Sequence, residues 1–269
     1  MKRLLRLKHI LKSGVLRLMG NAISDAQNKL PYTIIRHPHG SQVDHIGLGV
    51  PDTKAGVEWL EEKMGADVYI GDPEPDQWYW SGSVSIGGPS FLEVIGPNPE
   101  HKGFQPFKTY LKDLDGPALL FWYVAVDNFS ALRNFMKGER IPLQQVQEIN
   151  IDAANPEQPG YSRGFVGPGF LSQRPNVIEW RHRPERIVGE GTCTLKEFRL
   201  SHPKADNLNT VFGRLGIDVP VSIGPSSLGV TIDTPNGDFV LDSPGMAWTG
   251  FRMLPTIGSL WLKHLSGVR

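Results

Sequence analysis

Val43-Asp44-His45-Ile46-Gly47-Leu48-Gly49-Val50-Pro51-Asp52 alternates along its length. As a strand it turns Val43, His45, Gly47 and Gly49 to one side and Asp44, Ile46, Leu48 and Val50 to the other. The second set can pack on a helix, and Asp52-Thr53 can cap one. The first face carries an imidazole and then two glycines, which predicts room for something other than side chains. A structural histidine gives the same pattern, so the weight of the reading comes from what repeats downstream.

Working outward, Asp52 to Gly65 has helical spacing at Val57, Trp59, Leu60 and Met64, with Gly65 as its stop. Short strands follow over 66–71, 77–85 and 90–95, separated by turns at 72–76 and Gly87-Gly88-Pro89. Phe91, Glu93 and Ile95 share one face of the last strand. A carboxylate in an apolar strand costs several kcal/mol unless paired, so Glu93 needs a metal, another cation, or backbone donors. The layout then recurs. Pro117 to Asp127 reads as a strand, Asp127-Asn128 caps a helix to Gly138, and strands follow over 141–149, 161–171 and 176–182. Overlaying the modules matches His45 to Phe121 and Phe91-Leu92-Glu93-Val94 to Val177-Ile178-Glu179-Trp180. A shortened third copy spans 195–241, with no glutamate in its last strand, and 244–269 is a tail.

The 269 residues carry a formal charge of +0, so no global field favours nucleic acid. The single cysteine, Cys193, excludes an internal disulfide framework and a cysteine-based zinc site. It fits a reducing compartment. No apolar run is long enough to span a bilayer. Residues 1–41 stand apart as a basic helix and linker. Leu4, Leu7, Leu11, Val15 and Leu18 form one stripe, and Asp25 is the only acid up to Lys29. Three readings fit: a docked helix, a mitochondrial-type presequence, or a membrane-surface anchor. The expected location is cytoplasmic, or mitochondrial if the segment is a presequence. His37-Pro38-His39 reads as a surface loop, and Cys193 as inert.

The repeated βαβββ order, the opening VDHIGLGVPD and the closing FLEVIGP resemble the vicinal oxygen chelate superfamily, in particular its glyoxalase-like domain proteins. The resemblance implies an α+β fold in which paired βαβββ modules over 42–190 form a curved, cup-like sheet. A third, truncated βαβββ unit over 191–243 flanks it. It further implies a divalent metal in the cup (Mn, Fe, Zn, Ni or Co) on His45, Glu93 and Glu179, with Phe121 at the fourth position, where it cannot ligate. Such a site serves a lyase, isomerase or dioxygenase acting on a small oxygenated molecule, with Glu93 and Glu179 catalytic. Phe121, Tyr123 and Arg181 are the expected substrate contacts; Arg181 either pairs with Glu179 or clamps a substrate carboxylate. Trp78, Tyr79, Trp80 and Trp180 are further lining candidates, and a homodimer is compatible with this layout. The alternative function is metal-free binding of a small molecule in the same cup.

Overall fold

The computed structural model describes residues 30–73, 75–150, 159–167, 173–183 and 191–243. The expected N-terminal helix and the C-terminal tail lie outside the described residues. Among the described residues no helix is long and apolar enough to cross a membrane.

The first module is β1 (Val43–Gly49), α1 (Thr53–Met64), β2 (Tyr69–Ile70), β3 (Tyr79–Ser85) and β4 (Phe91–Pro97). The second is β5 (Ala118–Ala125), α3 (Phe129–Gly138), β6 (Leu143–Ile149), β7 (Gly160–Val166) and β8 (Asn176–His182). Each helix starts where the sequence provides a cap. Asp52 accepts from Ala55 N at 2.9 Å, and Asn128 accepts from Ala131 N at 2.9 Å. Gly65 ends α1 in the left-handed region, φ 65°, which glycine adopts without steric cost.

The two modules join in one sheet of order β2-β3-β4-β1-β5-β8-β7-β6. Exchanging the modules leaves that order unchanged, as a pseudo-twofold axis between antiparallel β1 and β5 requires. In each module the first strand lies parallel to the last, β1 on β4 and β5 on β8. One face of the sheet buries Ile46, Leu48, Leu92, Trp122 and Val177 against α1, α3 and the third unit. The other face carries a smaller apolar cluster built on α2 (Pro106–Lys112), which connects the modules. Phe107 and Leu111 of α2 pack there on Leu120, Phe121 and Tyr123. The sequence pattern had assigned no element to this connection.

The third unit keeps the chain order, with β9 (Thr194–His202), α4 (Ala205–Leu215), β10 (Val221–Ile223), β11 (Ser227–Thr234) and β12 (Gly237–Ser243). Its pairing differs: the separate sheet runs β10-β9-β11-β12, so the first strand lies beside the second and third, not the last. Element order alone does not decide which strand a crossover returns to. The unit packs on the sheet through Trp122, whose ring meets Phe198 at 5.0 Å and Phe212 at 5.9 Å. Residues 30–41, part of the expected linker, run across the end of β5, with Ile35 N donating to Ala125 O at 2.8 Å. They bury Tyr32, Ile34 and His37.

Candidate active site

A bulge sets up the site. The register of β1 on β5 slips between Val43 and His45. The extra residue lets Val43 join Ile46, Leu48 and Val50 in the main core, and His45 alone faces the other way. The expected alternation had Val43 beside His45 and Asp44 among the apolar set; the slip reverses both. Asp44 is wholly buried at the bulge. Its Oδ1 lies 2.7 Å from His45 Nδ1, Trp180 Nε1 donates to its two oxygens at 3.1 and 3.3 Å, and Arg183 pairs with Oδ2. Burial alone raises the Asp44 pKa. The His45 contact, the charges of His45 and Arg183, and the Trp180 hydrogen bond more than offset burial and hold it below the usual carboxylate range.

The His45 ring is fixed on both faces. Tyr123 stacks at 4.0 Å and Phe91 at 4.6 Å, interplanar angles 17° and 6°. With Nδ1 held by Asp44, Nε2 is the ring nitrogen left to act on a bound molecule. Glu93 on β4 sits beside Gly47 of β1 and Ser83 of β3. Burial pushes its carboxyl above the usual range; His45, Arg163 and a Ser81 hydrogen bond pull the other way without cancelling it.

Arg163 faces them from β7 of the second module. Its Nε donates to Gln147 Oε1 at 2.9 Å, and its guanidinium lies 5.3 Å from the Tyr161 ring centroid. Burial opposes its charge, yet Tyr123, Tyr161, Tyr79 and Glu93 more than offset that and raise its pKa. Burial pushes the Tyr123 phenol up to about 12 and raises those of Tyr79 and Tyr161 as well, so all three are neutral hydroxyls at ordinary pH. His45, Glu93, Tyr79, Tyr161, Arg163 and Trp180 line one cavity of about 250 Å³, together with Trp80 and Ile178.

The expected ligand trio does not assemble. Glu179 lies on the opposite face of the sheet, where Oε2 accepts from Phe129 N at 2.9 Å and caps the start of α3. The register explains the miss. Superposing the caps Asp52 and Asn128 puts His45 on Phe121 and Gly47 on Tyr123. Glu93 pairs with Gly47, and Asn176 pairs with Tyr123, so Asn176 is the counterpart of Glu93. From Asn176 to Glu179 is three residues, an odd step, which turns the side chain to the other face. Glu179 is instead the counterpart of Gly96, which sits against Thr53 at the start of α1. Among the described residues no three His, Cys, Asp or Glu side chains are grouped to hold a metal. His45 and Glu93, from one module, do not make the three-ligand catalytic set expected for Mn, Fe, Zn, Ni or Co.

The expected substrate contacts also move. Phe121 and Tyr123 are buried behind the cavity wall. A Cβ on Gly47 would stand 2.2 Å from the Phe121 ring, and one on Gly49 2.3 Å from Leu120, so these glycines admit side chains from β5, not a ligand. Arg181 shares the Glu179 face and reaches outward to Asn150 and to Ser162 Oγ at 2.8 Å. Trp78 packs on Phe107, whereas Tyr79, Trp80 and Trp180 do line the cavity. His37 is buried although Pro38 and Gly40 beside it are exposed; its ring lies parallel to His39 at 5.8 Å and its Nε2 3.8 Å from Asp44. Asp44 and Arg163 are the residues that sequence reasoning passed over. Tyr161-Ser162-Arg163 alternation was the available signal for the second, because it places Tyr161 and Arg163 on one face.

Two βαβββ modules sharing one sheet, with a polar cavity between strands of both, define a protein of the vicinal oxygen chelate class. The model of the glyoxalase-like domain matches residues 43–216, and the chain belongs to that family. Among solved structures it is similar to a hypothetical protein from Staphylococcus aureus, at 8% identity and TM-score 0.50, covering 76% of this chain and 86% of that one. It is also similar to methylmalonyl-CoA epimerase from Mycobacterium tuberculosis, at 15% identity and TM-score 0.39, covering 55% and 92%. A Streptomyces coelicolor methylmalonyl-CoA epimerase in complex with 2-nitronate-propionyl-CoA gives 17% and 0.39, covering 53% and 99%. Comparison of the sequence with curated proteins returns no match.

Proposed function

We propose that the protein is a proton-transferring enzyme acting on a small oxygenated organic molecule held in the cavity, with Glu93 as the acid–base group and His45 Nε2 as its partner. The observation that carries this reading is Glu93 itself, a carboxyl raised by burial and aimed into a cavity it shares with an immobilised imidazole. Efficient proton transfer needs a group whose pKa approaches the working pH, and burial moves Glu93 that way. The family membership supports an enzyme of this class. Glu93 and Arg163 are supplied by β4 and β7, four strand spacings apart; at roughly 4.8 Å each, a flat sheet would separate them by about 19 Å. Their shared cavity fits a sheet curved around a bound molecule.

The test is solvent exchange. The protein is incubated in D₂O with hydroxyacetone, acetoin or pyruvate, and loss of carbon-bound hydrogen is followed by proton NMR. Exchange on at least one compound, reduced about 10²-fold or more in Glu93→Gln, is expected. Equal rates in the two proteins, or no exchange on any compound, overturns the proposal. A second reading, binding without turnover, is favoured by Phe121, Phe107 and Leu111, which pack an apolar cluster on this face of the sheet beside the cavity. Saturable binding without exchange is its signature.

A further inference from the structure

We infer that the cavity selects small carboxylates carrying an oxygen on the adjacent carbon, and that Arg163 is the residue that grips the carboxylate. The inference rests on the cavity being the functional site, and it names the substrate class.

Arg163 is the fixed cation among the residues lining the cavity. Its position is set from behind by Gln147, which takes Nε, and by Tyr161, over whose ring it lies. Its remaining neighbours are mainly phenols, those of Tyr79, Tyr123 and Tyr161. Neutral hydroxyls satisfy hydrogen bonds but do not neutralise a charge. Two carboxylates line the cavity among the described residues, Asp72 and Glu93, both from the first module, and Glu93 acts on Arg163 from there. The guanidinium is only partly buried and its charge is already favoured by its surroundings; what it offers an incoming anion is its planar fork, which matches a carboxylate with two parallel N–H donors. A cavity of about 250 Å³ is below the usual drug-sized range and suits a small molecule. One guanidinium suits a monoanion better than a phosphate dianion.

The second oxygen follows from the opposite wall. A carboxylate on Arg163 directs the rest of the molecule toward β1 and β4, where His45 Nε2 can meet an oxygen and Glu93 a neighbouring C–H. Phe91, Ile178 and Trp180 give the carbon chain apolar surface. The class is therefore the 2-hydroxy and 2-oxo acids.

Calorimetric titration and thermal shift of the full chain test this with lactate, pyruvate and mandelate against lactamide, which keeps the hydroxyl but lacks the charge. At least one of the acids binds wild type, and lactamide binds at least tenfold more weakly than lactate. Arg163→Gln weakens the acids tenfold or more without improving lactamide; Arg163→Lys, keeping the charge and losing the fork, falls between. Lactamide binding as well as lactate, no acid binding at all, or an unchanged Arg163→Gln overturns the inference. The lactate and lactamide pair needs only wild type, so the inference stays falsifiable even where a variant fails to fold. Binding that survives while Glu93→Gln leaves exchange unaltered would sink the acid–base proposal and leave this inference standing.

Discussion

Replacing Asp44 with Asn is the sharpest way to ask what holds the site together. Asp44 has no exposed surface and serves His45 Nδ1, Trp180 Nε1 and Arg183 at once. Asparagine keeps the shape and one acceptor oxygen, so the Trp180 hydrogen bond can survive. It removes the charge facing Arg183, whose side chain is only 12% exposed. Breaking a buried pair by removing one partner costs about 3–5 kcal/mol, and the retained acceptor points to the lower end, about 3 kcal/mol. For a chain of this size that is a fall of roughly 6–12 °C in melting temperature. The assay is urea and thermal unfolding of wild type, Asp44→Asn, Arg183→Gln and the double variant. The double variant should lose clearly less than the sum of the singles, because the pair is one interaction. The pH dependence has a definite sign. The folded-state pKa of Asp44 is lowered, so its contribution is complete above the unfolded carboxylate value, about 3.9, and is lost as pH falls through the folded value. A loss under about 0.5 kcal/mol, or strict additivity with Arg183→Gln, would refute the reasoning, since surface substitutions behave that way.

Two further outcomes follow from the packing. Burial lowers the His37 pKa from 6.5 to about 4, with Asp44 opposing and Arg183 and His39 adding to the effect. The unfolded chain therefore gains a proton that the folded chain resists, and stability is lost as pH falls from about 6.5 towards 4, by about 3 kcal/mol over the whole window. Urea midpoints at pH 7 and pH 5 should differ less in His37→Gln than in wild type; an identical pH dependence would contradict the assignment. Gly47→Ala places a methyl group where the Phe121 ring lies and should cost about 1–3 kcal/mol, read by thermal unfolding. Phe121→Leu in the same chain should recover part of that cost, and no recovery would mean that the ring is not the obstacle.

The opening decamer and the second module show what was legible. Asp52 and Asn128 announced their helices because capping is a local interaction, written within a few residues. Strand 176–182 was legible for the same reason, as a β-rich run between turns. Pairing is not local, and there the reading failed. Aligning Glu93 with Glu179 by residue type assumed a register that only the contact of β5 with β8 decides, and the odd offset put Glu179 under α3. The Val43/His45 bulge was equally invisible, because a single extra residue leaves the composition of an alternating strand unchanged. His37 was misread as surface because burial of an irregular segment depends on what crosses it, here β5 and the Asp44 cluster. Arg163 carried a signal in its alternation with Tyr161, but its partner Glu93 is seventy residues away in the chain.

The most direct measurement is the solvent-exchange rate on pyruvate of Glu93→Gln and Glu179→Gln, side by side with wild type. The two glutamates looked equivalent in sequence, and the structure gives them opposite roles, one facing the cavity and one capping α3. Glu93→Gln should lose exchange about 10²-fold or more. Glu179→Gln should keep the wild-type rate while losing about 1 kcal/mol of stability with the weakened cap. Equal loss of exchange in both variants would place Glu179 in the reaction and contradict the account.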